Sequence, residues 1–188
     1  FPILHQVFVW FAWRSELNES LITRTIGFKA YLIIFFVLFI GRFLSLYSLG
    51  RLDPGTLGIS PITRYVLAST LALPGLFAMH SVYRHFGFTR AAGADHFFDH
   101  YRGEPLVKRG IFRFTQNGMY VFAFFLFWAI SIGLDSPIAL VVTVFSHAYI
   151  WTHFFSVEKL DMEYIYSDRT TIENYSSLPR SPRASILF

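Results

Sequence analysis

Apolar blocks alternate with polar interruptions along the chain, and block length is the first source of information. Phe1–Trp13 (FPILHQVFVWFAW) is apolar but falls short of the ~20 residues a helix needs to cross a bilayer. It reads as the end of an earlier helix or an interfacial segment. The polar RSELNESLITR that follows offers Asn18, Glu19 and Ser20 as cap candidates. Gly27–Gly50 is the first complete span. Arg51–Pro61 is rich in Gly and Pro and predicts a loop. Ile62–Tyr83 is a second span, with Pro74 and Gly75 expected to kink it. A long polar connection, Arg84–Gly118, leads to Met119–Leu134 and then Pro137–Val157. Only Asp135 and Ser136 separate those two blocks, which predicts a tight antiparallel helical hairpin. From Glu158 the chain is polar, and its end, SSLPRSPRASILF, reads as loose coil. No internal repeat is visible. The expected fold is all-α: a polytopic helical membrane protein of about four to five transmembrane helices. It is expected to form a single domain over residues 1–188, with N-terminal helices and the connection in 1–105, a hairpin unit in 106–166 and a polar tail in 167–188.

Composition agrees. Hydrophobic residues make up 54% and aromatic residues 20%, while only 15% are charged, against about 25% in soluble domains. The absence of cysteine excludes disulfides, thiolate nucleophiles and Cys-ligated zinc. In a chain of this kind a net charge of +4 reads as topology and lipid head-group attraction, not nucleic-acid binding. The sequence opens on Phe1 and not Met, which leaves room for an upstream targeting segment. The connection carries Arg84, Arg90, Arg102, Lys108, Arg109 and Arg113 against Asp95, Asp99 and Glu104. The tail adds Lys159, Arg169, Arg180 and Arg183, whereas the hairpin turn has only Asp135. The positive-inside rule therefore puts the connection and tail together at the cytoplasmic face. A water-soluble cofactor could reach that place from the cytosol while a lipid arrives sideways.

The last helix holds the candidate chemistry. At about 100° per residue, His147 and Glu158 return to nearly one face. Trp151 and Phe154 lie between them, and Asp161 continues the stripe. Ionisable groups at membrane depth usually face the bundle interior or a wet cavity, although a packed His147 with a backbone partner and solvated carboxylates would give the same pattern. His153 lies on a neighbouring face. His147 and His153 point about 120° apart, and HExxH and Cys/His spacings are absent, so no metal site is expected. There is no P-loop, GxGxxG or GxSxG either. Arg42 is expected to snorkel to the head groups, and His80 and Arg84 to anchor the second span at the interface. Tyr120, Phe124 and Phe127 stand at helical spacing and read as lipid-facing or core packing.

EPLVKRGIFRFTQNGMY, Glu104–Tyr120, carries the second cluster. Gly110 permits unusual dihedrals. Arg113 offers a forked donor for phosphate or carboxylate. Gln116 and Asn117 bring amides to a helix start, with Asn117 as an N-cap candidate and free backbone N–H groups suited to an anion. Tyr120 follows one turn on. A helix cap with an interfacial aromatic belt fits these residues equally well.

These segments together resemble the membrane methyltransferases of the isoprenylcysteine carboxyl methyltransferase and phospholipid N-methyltransferase group. The group's pattern is roughly L-V-x-x-G-x-[YF]-R-x-x-R-[HN]-P-x-Y, a helical hairpin, then E-E-x-x-L. Here Leu106, Val107, Gly110, Phe112, Arg113, Asn117 and Tyr120 match the first part, and Glu158 matches the first closing carboxylate. The likeness covers about Leu106 to Tyr166. Gln116 stands where the group has Arg, Gly118 where it has Pro, and Lys159 where it has the second Glu, which loosens the inference about the cofactor's carboxylate grip and the substrate. The resemblance implies S-adenosylmethionine held by the hairpin unit at the cytoplasmic membrane face. By position, Gly110, Phe112, Arg113, Asn117, Tyr120 and Glu158 would contribute to its pocket, and Gln116, His147 and Trp151 join them as cofactor-binding candidates on their own placement and chemistry. It further implies methyl transfer to a lipid or lipidated acceptor, a phospholipid amine being favoured, with His153, Glu158 or Asp161 as catalytic groups able to take the amine proton. Two other readings fit parts of the pattern: an NADPH-dependent membrane sterol or steroid reductase, and a non-enzymatic helical scaffold. Oligomeric state is not legible.

Overall fold

The computed structural model describes residues 1–101 and 105–166, and every regular element among them is helical. Residues 102–104 and the polar tail expected over 167–188 lie outside the described residues.

Helix α1 (Pro2–Glu19) starts on a proline, whose missing N–H costs nothing at a helix start. It stops where Ser20 adopts the left-handed conformation, φ 52°. The apolar Phe1–Trp13 and the first part of the polar stretch, up to Glu19, thus form one helix. A short α2 (Leu21–Thr25) leads into α3 (Gly27–Gly50). The next helix, α4 (Pro61–Ser81), is capped by Ser60, whose Oγ accepts from the Thr63 N–H at 3.3 Å. It runs unbroken through Pro74 and is extended by a π turn, Val82–Phe86. Most of the connection is built of short pieces: α5 (Phe88–Ala91) and 3₁₀ turns at Ala94–His96, Asp99–Tyr101 and Gly110–Arg113. A second π turn, Met119–Ala123, opens α6 (Phe125–Leu134). Asp135 closes α6 in the left-handed region, φ 55°, and Ser136 caps α7 (Pro137–His153) by accepting from the Ala139 N–H at 3.0 Å. That is the two-residue hairpin the sequence predicts. Beyond α7 a third π turn, Phe154–Glu158, runs into α8 (Lys159–Ile165), so the last helix continues past Val157, where it was expected to end.

Three helical stretches are long and apolar enough to cross a membrane: Gly27–Gly50, Pro61–Phe86 and Pro137–Ile165. Met119–Leu134 is a shorter apolar helix. The expected all-α membrane architecture is therefore present, with three to four spanning candidates. Helix α1 instead packs along α3, where Val9, Trp13, Tyr31 and Phe35 form one buried cluster.

Helix α4 packs most extensively against α6. Gly75 makes this approach possible, since a Cβ there would lie 2.7 Å from Leu126 Cγ. At one end of the bundle the Gly55 N–H donates to the Leu134 carbonyl (3.1 Å), and Asp135 and Asp53 accept from the N–H groups of Ile59 and Ile138, each at 3.2 Å. At the other end, Tyr31 donates to the Ala92 carbonyl at 2.6 Å and accepts from the Trp13 indole at 2.8 Å. The bonds to Leu134, Ile59, Ile138 and Ala92 satisfy backbone groups where the helices stop, as a lipid environment demands.

Two expectations are corrected. Arg42 does not snorkel. It is 4% exposed, its guanidinium lies over Phe124 and Phe127 at 5.3 and 5.4 Å, and it meets His5 Nδ1 at 3.4 Å. Helices α1 and α6 cover its face of α3 and leave it no route to the head groups. Nor does the Asn117 side chain cap the next helix. The turn opens at Gly118 without a side-chain cap, and Asn117 contributes only its carbonyl, accepting from the N–H groups of Tyr120 (3.0 Å) and Val121 (3.1 Å).

Candidate functional site

Tyr120 is the meeting point of the two clusters read from the sequence. Its hydroxyl donates to Glu158. Its ring contacts Trp151 edge-on at 6.1 Å and Phe154 at 5.7 Å between centroids. Its carbonyl accepts from His147 Nε2 at 3.0 Å. Four members of the predicted stripe therefore converge on one residue of the preceding helix. The tautomer of His147 follows from its partners: Nε2 donates to a carbonyl, so Nδ1 is free to accept from the Trp128 indole at 3.1 Å. Both ring nitrogens are committed to holding the hairpin together. Tyr120 and Glu158 each sit in a π turn, a form of helix that often accompanies functional sites.

The fifth member of the stripe turns elsewhere. Past the wider π turn, Asp161 is buried against α1 and the connection: Oδ1 pairs with Arg14 Nη1 at 2.9 Å, and Oδ2 with His96 Nε2 at 3.3 Å. His96 stacks on Trp13, centroids 4.1 Å apart. Beside this pair, Arg90 Nε contacts Asp95 Oδ2 at 3.2 Å, and the Tyr166 hydroxyl bonds to both residues. Burial, followed by the Asp95 hydrogen bond, pushes the Tyr166 hydroxyl above the ordinary tyrosine range. Burial opposes charge on Arg90, but Tyr166 and Asp95 outweigh it and hold the guanidinium above its usual value.

The remaining predicted residues border this knot. Gly110 has φ +58°, as expected of a residue chosen for unusual dihedrals, and a Cβ there would sit 2.5 Å from Ser81 Oγ. That Oγ accepts from the Ile111 N–H at 3.0 Å and fixes the 3₁₀ turn to the end of α4. Phe112 is buried on Phe86, 5.1 Å between centroids. Arg113 and Gln116 are exposed and Asn117 is half-buried. Gly118 explains its own departure from the motif: a Cβ would lie 2.8 Å from Ile111 Cγ2, so the position usually held by Pro has no room for a side chain.

Inward of Tyr120 lies a cavity of about 120 Å³ between α1, α3, α4, α6 and α7. Phenylalanine is the commonest residue in its walls, beside Val9, Met79, Val82, Met119 and Ile150. Tyr120, Trp13 and His153 border its outer part, and Arg42, His5 and Phe127 its inner part. His153 is buried and also borders a second depression, between α1 and α7 over Trp10, Tyr149 and Ser156. A carboxylate framed by Tyr120, Trp151 and Phe154 suits a cationic ligand, while exposed Arg113 and Gln116 offer donors to an anionic one. Among the described residues, no group of three or more His, Cys, Asp or Glu could hold a metal ion.

Sequence reading missed Trp13, Arg14, Asp95 and His96. No spacing rule connects them to the hairpin. Gly93, at φ +88°, was the one local sign that the chain turns sharply there.

Comparison with curated proteins and with solved structures gives no match. The family model for phospholipid methyltransferases (PEMT) matches residues 63–169, more than half of the chain, from α4 through the connection and hairpin to the end of α8. With motif, hairpin and closing acid falling inside that match, the chain belongs to the phospholipid methyltransferase family.

Proposed function

We propose that this protein transfers a methyl group from S-adenosylmethionine to the amine of a phospholipid head group at the cytoplasmic membrane face. The observation that carries the reading is the convergence of Glu158, Trp151, Phe154 and His147 on Tyr120, directly outward of the cavity. The cytoplasmic placing rests on charge. Arg14, Arg24, Lys29, Arg84, Lys108, Arg109 and Arg113 belong to the end where Trp13 meets Tyr31, whereas, among the described residues, the hairpin end carries only Arg51 and Arg64 beside Asp53 and Asp135, with Arg64 Nη1 3.8 Å from Asp135 Oδ2.

The residues present fit the cofactor. Glu158 would supply negative charge and Tyr120 and Trp151 ring faces for a sulfonium, and the exposed Arg113 and Gln116 would offer donors to its carboxylate. Gly110, Phe112 and Asn117 shape the turn that carries them. His147 orients Tyr120 through its carbonyl. When bound, S-adenosylmethionine would supply the electrophilic methyl for the acceptor nitrogen, with the thioether as leaving group. The amine must be neutral to attack. His153, buried beside the cavity, takes the proton. Glu158 would hold the cationic end of the donor by its charge, a contribution that is mainly one of positioning. Asp161, engaged by Arg14 and His96, fixes the last helix against α1.

The test is incubation of the purified protein with labelled methyl donor and a total lipid extract, with chromatography of the products. Label in an N-methylated phospholipid is expected. Absence of labelled lipid, together with thermal stabilisation by NADPH but not by S-adenosylhomocysteine, would replace this reading with a reductase.

A further inference from the structure

The cavity has an unusual inner end. Arg42 lies eleven residues beyond Tyr31 on α3, about 16 Å deeper at 1.5 Å per residue. Around it are Phe39, Phe43, Phe124 and Phe127, and among the described residues no carboxylate pairs with it. A cation buried at membrane depth without a counter-ion is costly, and such groups commonly serve ligands.

The hydrogen bonding gives the sign of the missing partner. Arg42 can only donate, so in its 3.4 Å contact the His5 Nδ1 must accept. The His5 proton is therefore on Nε2. Both Arg42 Nε and His5 Nε2 are buried without a hydrogen-bond partner. Both residues line the cavity and are 4% and 3% exposed. The inner end thus holds two unmet N–H donors and one positive charge that meets aromatic rings but no carboxylate among the described residues. It calls for a singly charged anion with several acceptor oxygens.

We infer that the Arg42–His5 pair seats the phosphodiester of a phospholipid drawn into the cavity. This rests on the methyl-acceptor reading for the choice of lipid, but the anion site itself does not. The geometry of the head group agrees. Phe124, beneath the Arg42 guanidinium, is one helical turn from Tyr120, and the two carbons and one oxygen between phosphorus and amine span roughly the same distance, about 5 Å. A phosphate held at Arg42 leaves the amine on the Tyr120 and His153 side, and the phenylalanine walls accept acyl chain.

Native mass spectrometry of the protein in detergent, titrated with phosphatidylethanolamine, diacylglycerol of the same chains, oleate and inorganic phosphate, tests the seat without requiring turnover. Phosphatidylethanolamine should bind, and Arg42→Gln should weaken it at least tenfold while leaving diacylglycerol and the thermal shift given by S-adenosylhomocysteine unchanged. His5→Phe, which keeps the ring and removes the donor, should weaken it about threefold and serves if Arg42→Gln does not fold. Equal loss for diacylglycerol, no loss for phosphatidylethanolamine, or binding of oleate or free phosphate as tight as that of the phospholipid would overturn the inference. A protein that binds phosphatidylethanolamine through Arg42 yet labels no lipid would keep the seat and sink the methyl-transfer reading.

Discussion

The hydroxyl of Tyr120 donates to the carboxylate of Glu158, joining residues 38 positions apart at the outer ends of the two hairpin helices. This bond fixes the carboxylate to Tyr120, whose ring meets Trp151 and Phe154 and borders the cavity. Hydrogen bonds to charged groups contribute about 1.5–3 kcal/mol, which is roughly 10- to 100-fold in an equilibrium. Tyr120→Phe should therefore raise KM for the methyl donor by about tenfold, with a smaller change in kcat. Glu158→Gln should reduce both the affinity for S-adenosylhomocysteine and turnover by more than that. Steady-state kinetics with labelled donor and isothermal titration with S-adenosylhomocysteine decide it. Unchanged affinity in both variants would remove the pair from the cofactor site.

Asp161 shares the face of Glu158 in a helical projection but has a different partner set. It is 1% exposed and held by Arg14 and His96. Removing one partner of a buried pair costs about 3–5 kcal/mol when both groups are buried. Arg14 is 29% exposed at its side chain, so the expected loss for Arg14→Ala is lower, about 1–3 kcal/mol. Asp161→Asn should destabilise by a similar amount, and the double variant by less than the sum. Thermal unfolding of the four proteins in detergent measures this. Strict additivity would show that the two side chains do not interact.

The spans, the hairpin turn and the stripe from His147 to Glu158 were legible because each depends on local rules: run length, cap residues and helical period. The match from Leu106 to Tyr120 was legible for the same reason. The π turns were not. Widening a helix by one residue in Phe154–Glu158 leaves no compositional mark, yet it is where Asp161 parts from the stripe. Trp13, His96 and Arg14 were invisible because their roles arise only when α1 packs against residues 80 or more positions later. Arg42 was misread because sequence does not reveal that α1 and α6 roof it over.

Gly110 and Gly118 bracket the motif, and each is fixed by space. Gly110→Ala forces a Cβ against Ser81 Oγ in a backbone of φ +58°, which side chains disfavour. A loss of about 2 kcal/mol is expected from strain and overpacking together. Gly118→Pro would restore the family residue, yet it places atoms on Ile111 and should destabilise by about 1–3 kcal/mol. Ile111→Ala removes the obstacle but itself costs about 2–5 kcal/mol in the core, so the double variant should lose less than the sum of the two single losses. Denaturant or thermal unfolding tests both, and a Gly118→Pro protein as stable as the parent would show that Ile111 yields freely.

Tyr166 provides a pH signature for the network at the end of α8. Its hydroxyl bonds to Asp95 and Arg90, and burial followed by the Asp95 bond raises its pKa above that of a free tyrosine, which is about 10. The folded protein therefore holds this proton more tightly than the unfolded chain does. Its contribution is intact below about pH 10, where the unfolded tyrosine begins to ionise, and it is lost as pH rises further toward the folded value. Tyrosine is abundant in the chain, so the difference between the parent and Tyr166→Phe is the quantity to measure. The Tm of the parent should exceed that of the variant near neutrality, and the gap should narrow as pH rises above about 10. A gap that stays constant from about pH 8 to about pH 11 would mean that the Tyr166 proton does not couple to folding.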